Sequence, residues 1–203
     1  MPIYSHTTEK TLKTTQTTQS GYTLVELAIS VAILSVLIVA GLLGVQSILT
    51  SGKVNDQIKT VAKLSAKSSA LFASTGTSGV IQQQMINVGA WDASKANGEN
   101  ITSSFGSKET IETNSKGIGS MAIGTGFVYK IFAVPQAACA DLASGVSGFV
   151  FALHVVAASS PAPADWITDN SVVKVPGNAN MTLANLANSC VHANLDFYMA
   201  IKS

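Results

Sequence analysis

The sequence predicts an α+β fold: a long N-terminal α-helix, apolar in its first half and amphipathic in its second, packed on an antiparallel β-sheet. Three observations carry this. Leu24 to Val45 is a 22-residue apolar run whose only charged residue is Glu26. Beyond Gly52, apolar residues return at steps of three and four, the period of a helix with one buried face. From Phe127 onward, aromatic and β-branched segments alternate with Gly- and Pro-bearing turns, the pattern of strands.

Residues 1–20 are polar and Thr-rich and carry Lys10 and Lys13. Gly21 then opens the stretch Gly21-Tyr22-Thr23-Leu24-Val25-Glu26-Leu27. As a helix, Leu24–Val45 spans roughly 33 Å, enough for a hydrocarbon core of about 30 Å. A secretory signal has a shorter apolar region and a small-residue cleavage site behind it. Here the run is longer, and the Gly lies in front. A carboxylate at the edge of a membrane-length helix is costly without a partner. Glu26 therefore reads either as an interfacial acid offset by the helix dipole or as an acid that meets a cation of another chain. Gly41 and Gly44 each lower helix propensity by about 1 kcal/mol relative to Ala. They read as close helix packing or as weak points at which the helix unwinds.

The helix continues past Gly52. Val54, Ile58, Val61, Leu64 or Ser65, and Leu71 with Phe72 form its apolar face, and Lys59, Lys63 and Lys67 form a stripe on another. That stripe is a solvated face or a contact with acidic patches on a neighbouring chain. Residues 74–79 end the helix with Ser, Thr and Gly. Residues 80–126 read as loop-rich, with Gly117, Gly119, Gly124 and Gly126 as turns; they lack the strand-to-helix context of a phosphate-binding loop. Phe127–Val134 predicts a strand. Pro135 starts a short helix through Cys139 to Leu142, with Gly145 after it. Gly148–Val156 predicts a strand, Val172–Val175 a short one, Thr182–Cys190 a short helix and Leu195–Ile201 a final strand.

Charge narrows the function. The chain has 12 Lys, no Arg and 11 acids, for a net charge of +1. A near-neutral chain lacks the positive surplus that phosphate backbones require, so no direct nucleic-acid binding is expected; low net charge favours self-association. His6, His154 and His192 have no metal-ligand spacing, and His154, inside an apolar strand, reads as a hydrogen-bonded core residue. Asp165, Asp169 and Asp196 are scattered, with no basis for an acid–base pair. No catalytic residue, cofactor or metal is expected, and the chain reads as a non-enzyme.

A short basic leader, Gly21, an apolar helix and an acid five residues on resemble the class III signal of type IV pilin precursors. The resemblance is strong over residues 21–50 and covers the remainder in outline. It implies the pilin fold, cleavage between Gly21 and Tyr22 by a prepilin peptidase, and N-methylation of Tyr22. It also implies that Glu26 pairs with the N-terminus of a neighbouring subunit. A 21-residue leader, Tyr22 in place of Phe and a mature chain of 182 residues resemble the type IVb subclass of enteric adherence and conjugative thin pili. The family often carries Pro within the apolar helix. This chain has none between Pro2 and Pro135, which leaves filament-state unwinding to Gly41 and Gly44.

Four lysines soon after the helix oppose a simple positive-inside count, but a domain of roughly 150 residues translocates largely regardless of charge. In an exported head, Cys139 and Cys190 are expected to form one disulfide worth roughly 3–4 kcal/mol. The expected domains are a leader (1–21), a transmembrane and filament-core helix (22–52), its amphipathic half (53–79) and a globular head (80–203) with a disulfide-bounded region at 139–190. The implied function is the structural subunit of a type IVb pilus serving adhesion, aggregation or conjugative contact. The precursor would reside in the inner membrane, and the mature subunit in the extracellular fibre. Its partners would be copies of itself, prepilin peptidase and the inner-membrane assembly machinery. The rival readings are a minor pilin or type II secretion pseudopilin, and a membrane-anchored periplasmic enzyme or binding protein.

Overall fold

The computed structural model describes residues 21–75, 82–92, 94–98, 100–114, 117–163, 165–169, 171–178 and 180–202. The leader with Lys10, Lys13 and His6, and residues 76–79 of the expected helix end, lie outside the described residues. The chain divides into two compact units, residues 1–44 and 45–203.

Helix α1 runs Leu24–Thr75. Thr23 starts it: its Oγ1 accepts the Glu26 N–H at 3.2 Å and its carbonyl accepts the Leu27 N–H at 3.1 Å. Within the apolar stretch, the Ser30, Ser35 and Thr50 hydroxyls donate to carbonyls of the preceding turn, those of Glu26, Ala32 and Gln46. These polar side chains are therefore satisfied by their own helix, as an apolar surrounding demands. The helix is continuous through Gly41 and Gly44, where an added Cβ would meet open space.

In the second unit, Val54, Gln57, Val61, Leu64 and Ser68 are buried, at steps of three and four. Ile58 and Leu71 pack at the margin. Thr60 is buried too, so this face holds three polar residues, Gln57, Thr60 and Ser68, that apolar periodicity does not select. Gln57 earns its place through hydrogen bonds across the core.

The sheet has seven antiparallel strands in the order β1-β2-β3-β4-β7-β5-β6. They are β1 Ala96–Asn97, β2 Asn100–Thr102, β3 Lys108–Thr113, β4 Gly126–Pro135, β5 Ala152–Ala157, β6 Val172–Lys174 and β7 Asn194–Lys202. The paired strands β4 and β7 are the longest and lie at the centre. One face meets α1 through Phe127, Tyr129, Ile131, Phe197 and Met199. The other face carries a smaller core of Ile118, Met121, Trp166, Tyr198 and Ala200.

Two expectations are corrected and one is extended. Residues 80–126, read as loop-rich, also hold α2 (Gln82–Asn87) and strands β1 to β3. Their strands are short or polar, and pairing in the ladder with β4, not apolar pattern, fixes them. The strand expected from Gly148 begins at Ala152, because 147–149 form the turn that closes α3, where the Phe149 N–H donates to the Val146 carbonyl. Gly145 does not follow the third helix but lies inside it, since α3 runs Gln136–Val146. A Cβ at Gly145 would overlap the Ile58 side chain of α1, so the glycine serves a helix–helix contact. The remaining helix, α4, runs Leu183–Ser189.

Candidate assembly site

Gly21 and Tyr22 precede α1 in a non-helical, exposed segment; Tyr22 is 79% exposed. Thr23 and Glu26 occupy the first and fourth positions of a capping box, Thr-x-x-Glu, of which the Thr23 half is formed. Sequence reasoning here passed over that signature, although it is legible in the residues. Glu26 stands in the first turn, where the amide dipoles favour a negative charge.

Behind Glu26 the large apolar side chains described from Leu24 to Leu49 are all more than half exposed. The most apolar window of the helix has a mean hydropathy of 2.7 and none of it is buried. Covering a Leu, Ile or Val side chain contributes about 1.5–3 kcal/mol. Leaving this many in water costs more than the 5–15 kcal/mol that holds an ordinary domain together. The helix must therefore meet lipid or other protein, and the one acid at its start is the only charge it presents over Leu24–Gly52.

The disulfide is present. Cys139 of α3 is bonded to Cys190, which ends α4, with Cα atoms 5.8 Å apart. Beside it, the Gln136 side chain donates to the Cys190 carbonyl at 3.0 Å and the Gln136 N–H to Ala193. This end of the head is further fixed by Asp196, whose buried carboxylate accepts the N–H groups of Ala133 and Ser159. Both of those residues have positive φ, at 50° and 69°. The carboxylate therefore holds two backbone turns that L-residues rarely adopt.

The other expected polar residues separate by role. His154 is buried between Trp166 and Tyr198. Its Nε2 lies 2.6 Å from Ser171 Oγ, and Ser171 in turn donates to Asp169. In nucleophilic catalysis the carboxylate orients the histidine and the histidine takes the serine proton. Here the carboxylate binds the serine, so the trio orders a turn. Burial lowers the His154 pKa to about 4. His192 is exposed beyond α4. Among the described residues, no group of His, Cys, Asp and Glu is arranged to hold a metal.

One polar centre was not anticipated. Glu109 of β3 is fully buried. It accepts Gln57 Nε2 at 2.6 Å and Trp91 Nε1 at 2.8 Å; Gln57 Nε2 also lies 2.9 Å from Tyr129 Oη. Gln57 Oε1 accepts the Ser104 N–H at 2.9 Å. Burial raises the Glu109 pKa, while donors from Tyr129, Trp91 and Gln57 counteract it. The network pins α1 to β3, β4 and two loops. An acid at alternate positions with Ile111 is the only sequence signal for it.

Residues 16–42 match the prokaryotic N-terminal methylation motif. Among solved structures, the chain is similar to TcpA, a type IV pilin from Vibrio cholerae El Tor biotype. That match has a TM-score of 0.56 and 16% identity over 73% of this chain and 98% of the other. It is also similar to a type IVb pilin from Salmonella typhi, with a TM-score of 0.52 and 12% identity over 73% and 99%. No curated protein matches the chain by sequence. The fold is that of type IV pilins, and the chain carries a pilin-type methylation motif in front of it.

Proposed function

We propose that this chain is the precursor of the structural subunit of a type IVb pilus. The supporting observation is a conjunction. A methylation motif covers residues 16–42, and an uncovered apolar helix follows it at the head of a pilin fold. On this reading, prepilin peptidase removes residues 1–21 and methylates Tyr22. Residues 22–52 hold the subunit in the inner membrane and then form the filament core. Residues 53–79 extend that helix, and 80–203 form the outer head, closed by Cys139–Cys190.

Lipid tails are as apolar as neighbouring helices, so moving the helix from bilayer to fibre gains little hydrophobic energy. The direction of assembly then rests on packing and on charge. Two lone charges attract strongly where water does not screen them, so Glu26 takes the α-amino group of an adjacent Tyr22 and sets subunit register. Gly41 and Gly44 supply close approach between helices or local unwinding in the fibre. The inner-membrane machinery supplies the work of extraction, and the extracellular fibre serves adhesion, aggregation or conjugative contact.

The test is the N-terminus of protein sheared from the cell surface, read by mass spectrometry. N-methylated Tyr22 is expected. A chain still starting at Met1, or one cut behind the apolar run, overturns the reading.

A further inference from the structure

The end of β5 is open on one side. β5 pairs with β7 along its whole length, from Ala152 to Ala157. The edge strand β6 pairs with it only at Leu153 and His154. The Val155 N–H still reaches the Ser171 carbonyl at 3.3 Å. Backbone groups alternate along an antiparallel strand, so the Ala157 N–H faces the same side. No described strand lies beside it there.

A cavity of about 350 Å³ occupies this place. Val155, Val156 and Ala157 supply its apolar wall. Its polar lining comes from Ser160 and Ser171 in the loops around β5 and β6, and from Asn188, Ser189 and His192 at the end of α4. The volume falls within the range of small-molecule sites, and an apolar wall with a few convergent polar groups is their common make-up.

Most of these polar groups are unengaged. Ser171 is not: its hydroxyl donates to Asp169, and its oxygen lies 2.6 Å from His154 Nε2. Among the described residues, the side chains of Ser160, Asn188, Ser189 and His192 have no hydrogen-bond partner. Ser189 is only 8% exposed. A hydroxyl unpaired at that depth is unusual, and the cavity it lines is its outlet.

The lining is held in place before any ligand arrives, which lowers the ordering cost of binding. Cys190, between Ser189 and His192 in sequence, is bonded to Cys139 of α3, and its carbonyl accepts Gln136. Asp169 fixes the Ser171 turn, accepting the Ser171 N–H at 2.9 Å.

Charge and hydrogen-bonding capacity select the ligand. No lysine lines the cavity, and Lys174 turns its ammonium to the Ser147 and Val150 carbonyls. An anion would therefore meet Asp169 behind Ser171 and no lysine. A cation would find no carboxylate in the lining. Hydroxyl, carboxamide and imidazole groups each offer donors and acceptors, and so do the hydroxyls of a polyol. Three residues of open edge are too few for an added peptide strand, whose usual length is about 5–6.

We infer that this cavity binds a neutral polyhydroxylated ligand, a saccharide unit whose C–H face lies on Val155–Ala157 and whose hydroxyls engage Ser160, Asn188, Ser189 and His192. The site belongs to the head alone, so it goes beyond the pilus-subunit reading and does not depend on polymerisation.

The experiment holds the full chain, isotopically labelled, in micelles of a detergent that carries no sugar, and follows its amide resonances. The probes are the methyl glycosides of glucose, galactose, mannose and N-acetylglucosamine, with inorganic phosphate and tetra-alanine as contrasts. At least one glycoside is expected to shift Val156, Ala157, Ser189 and His192 saturably. Ser189→Ala and Asn188→Ala, each removing one hydrogen bond, are expected to weaken that binding about tenfold. Ser189→Ala should leave the Tm undiminished, because its hydroxyl has no partner within the head. No saturable shift at these residues with any glycoside overturns the inference. So does phosphate or tetra-alanine binding there in place of the glycosides, and so does undiminished affinity in both folded variants. None of these readouts requires a fibre, so their failure is distinct from failure of the pilus-subunit reading.

Discussion

At the scale of single residues, Glu26 has two separable duties. Its backbone N–H is capped by Thr23, while its carboxylate is free for a partner chain. Glu26→Gln keeps the cap and removes the charge. We expect it to leave membrane insertion and leader cleavage intact but to abolish fibres, as measured by sheared protein. Thr23→Ala removes the cap, costing about 1 kcal/mol at the helix start, and should spare most fibres; normal yield from Glu26→Gln would sink the register role. Two buried groups give the head opposite pH responses. The His154 pKa is lowered to about 4 by burial, from an ordinary 6.5. Its contribution is present above pH 6.5 and is lost as pH falls from there through about 4. Glu109 is raised from 4.5, chiefly by burial. Its contribution is full below pH 4.5 and is lost as pH rises through the raised value. The two windows overlap above pH 4.5, so the two slopes oppose each other there and the melting temperature of the wild type depends only weakly on pH in that range. His154→Leu should remove the acid-side loss and leave melting temperature falling as pH rises, and Glu109→Gln should do the reverse; a variant that keeps the wild-type profile would refute the assignment.

At the scale of elements, what could be read in advance depended on whether a segment's order is local. The long helix was legible because its period is a property of the run itself. Strands β4 and β7 were legible because they are central and apolar. Lys108–Thr113 was not, because a strand of alternating Lys, Glu and Thr looks like surface until β4 pairs with it. Gly145 misled for the same reason: a glycine reads as a helix stop, yet here it is the site where Ile58 seats against α3. Gly145→Val should cost about 1–3 kcal/mol by overpacking, read from the denaturant midpoint. Ile58→Ala should recover part of that loss, since the two sites touch; strictly additive effects would contradict the contact. The disulfide joins α3 to the end of α4 across 51 residues. In a chain-entropy account Cys139→Ser should remove roughly 4 kcal/mol, and unchanged protease resistance of the subunit would speak against that role.

At the scale of the whole molecule, the two units solve different problems. Within the described head, the buried acids Glu109 and Asp196 are hydrogen-bonded and the cysteines are joined. The large apolar side chains described from Leu24 to Leu49 are left exposed. Association should therefore follow the helix. A form beginning at Ser51, exported to an oxidising compartment, keeps the buried stripe of α1 and loses the uncovered apolar run. It should be monomeric by sedimentation at about 0.1 M salt, because exposed ion pairs of less than about 1 kcal/mol each cannot hold heads together unaided. The full mature chain should form oligomers once detergent is withdrawn. If the shortened head assembled on its own, the heads would hold a cohesive apolar interface, and the helix would be an anchor and not the source of cohesion. A monomeric head beside an assembling full chain places cohesion in the helix.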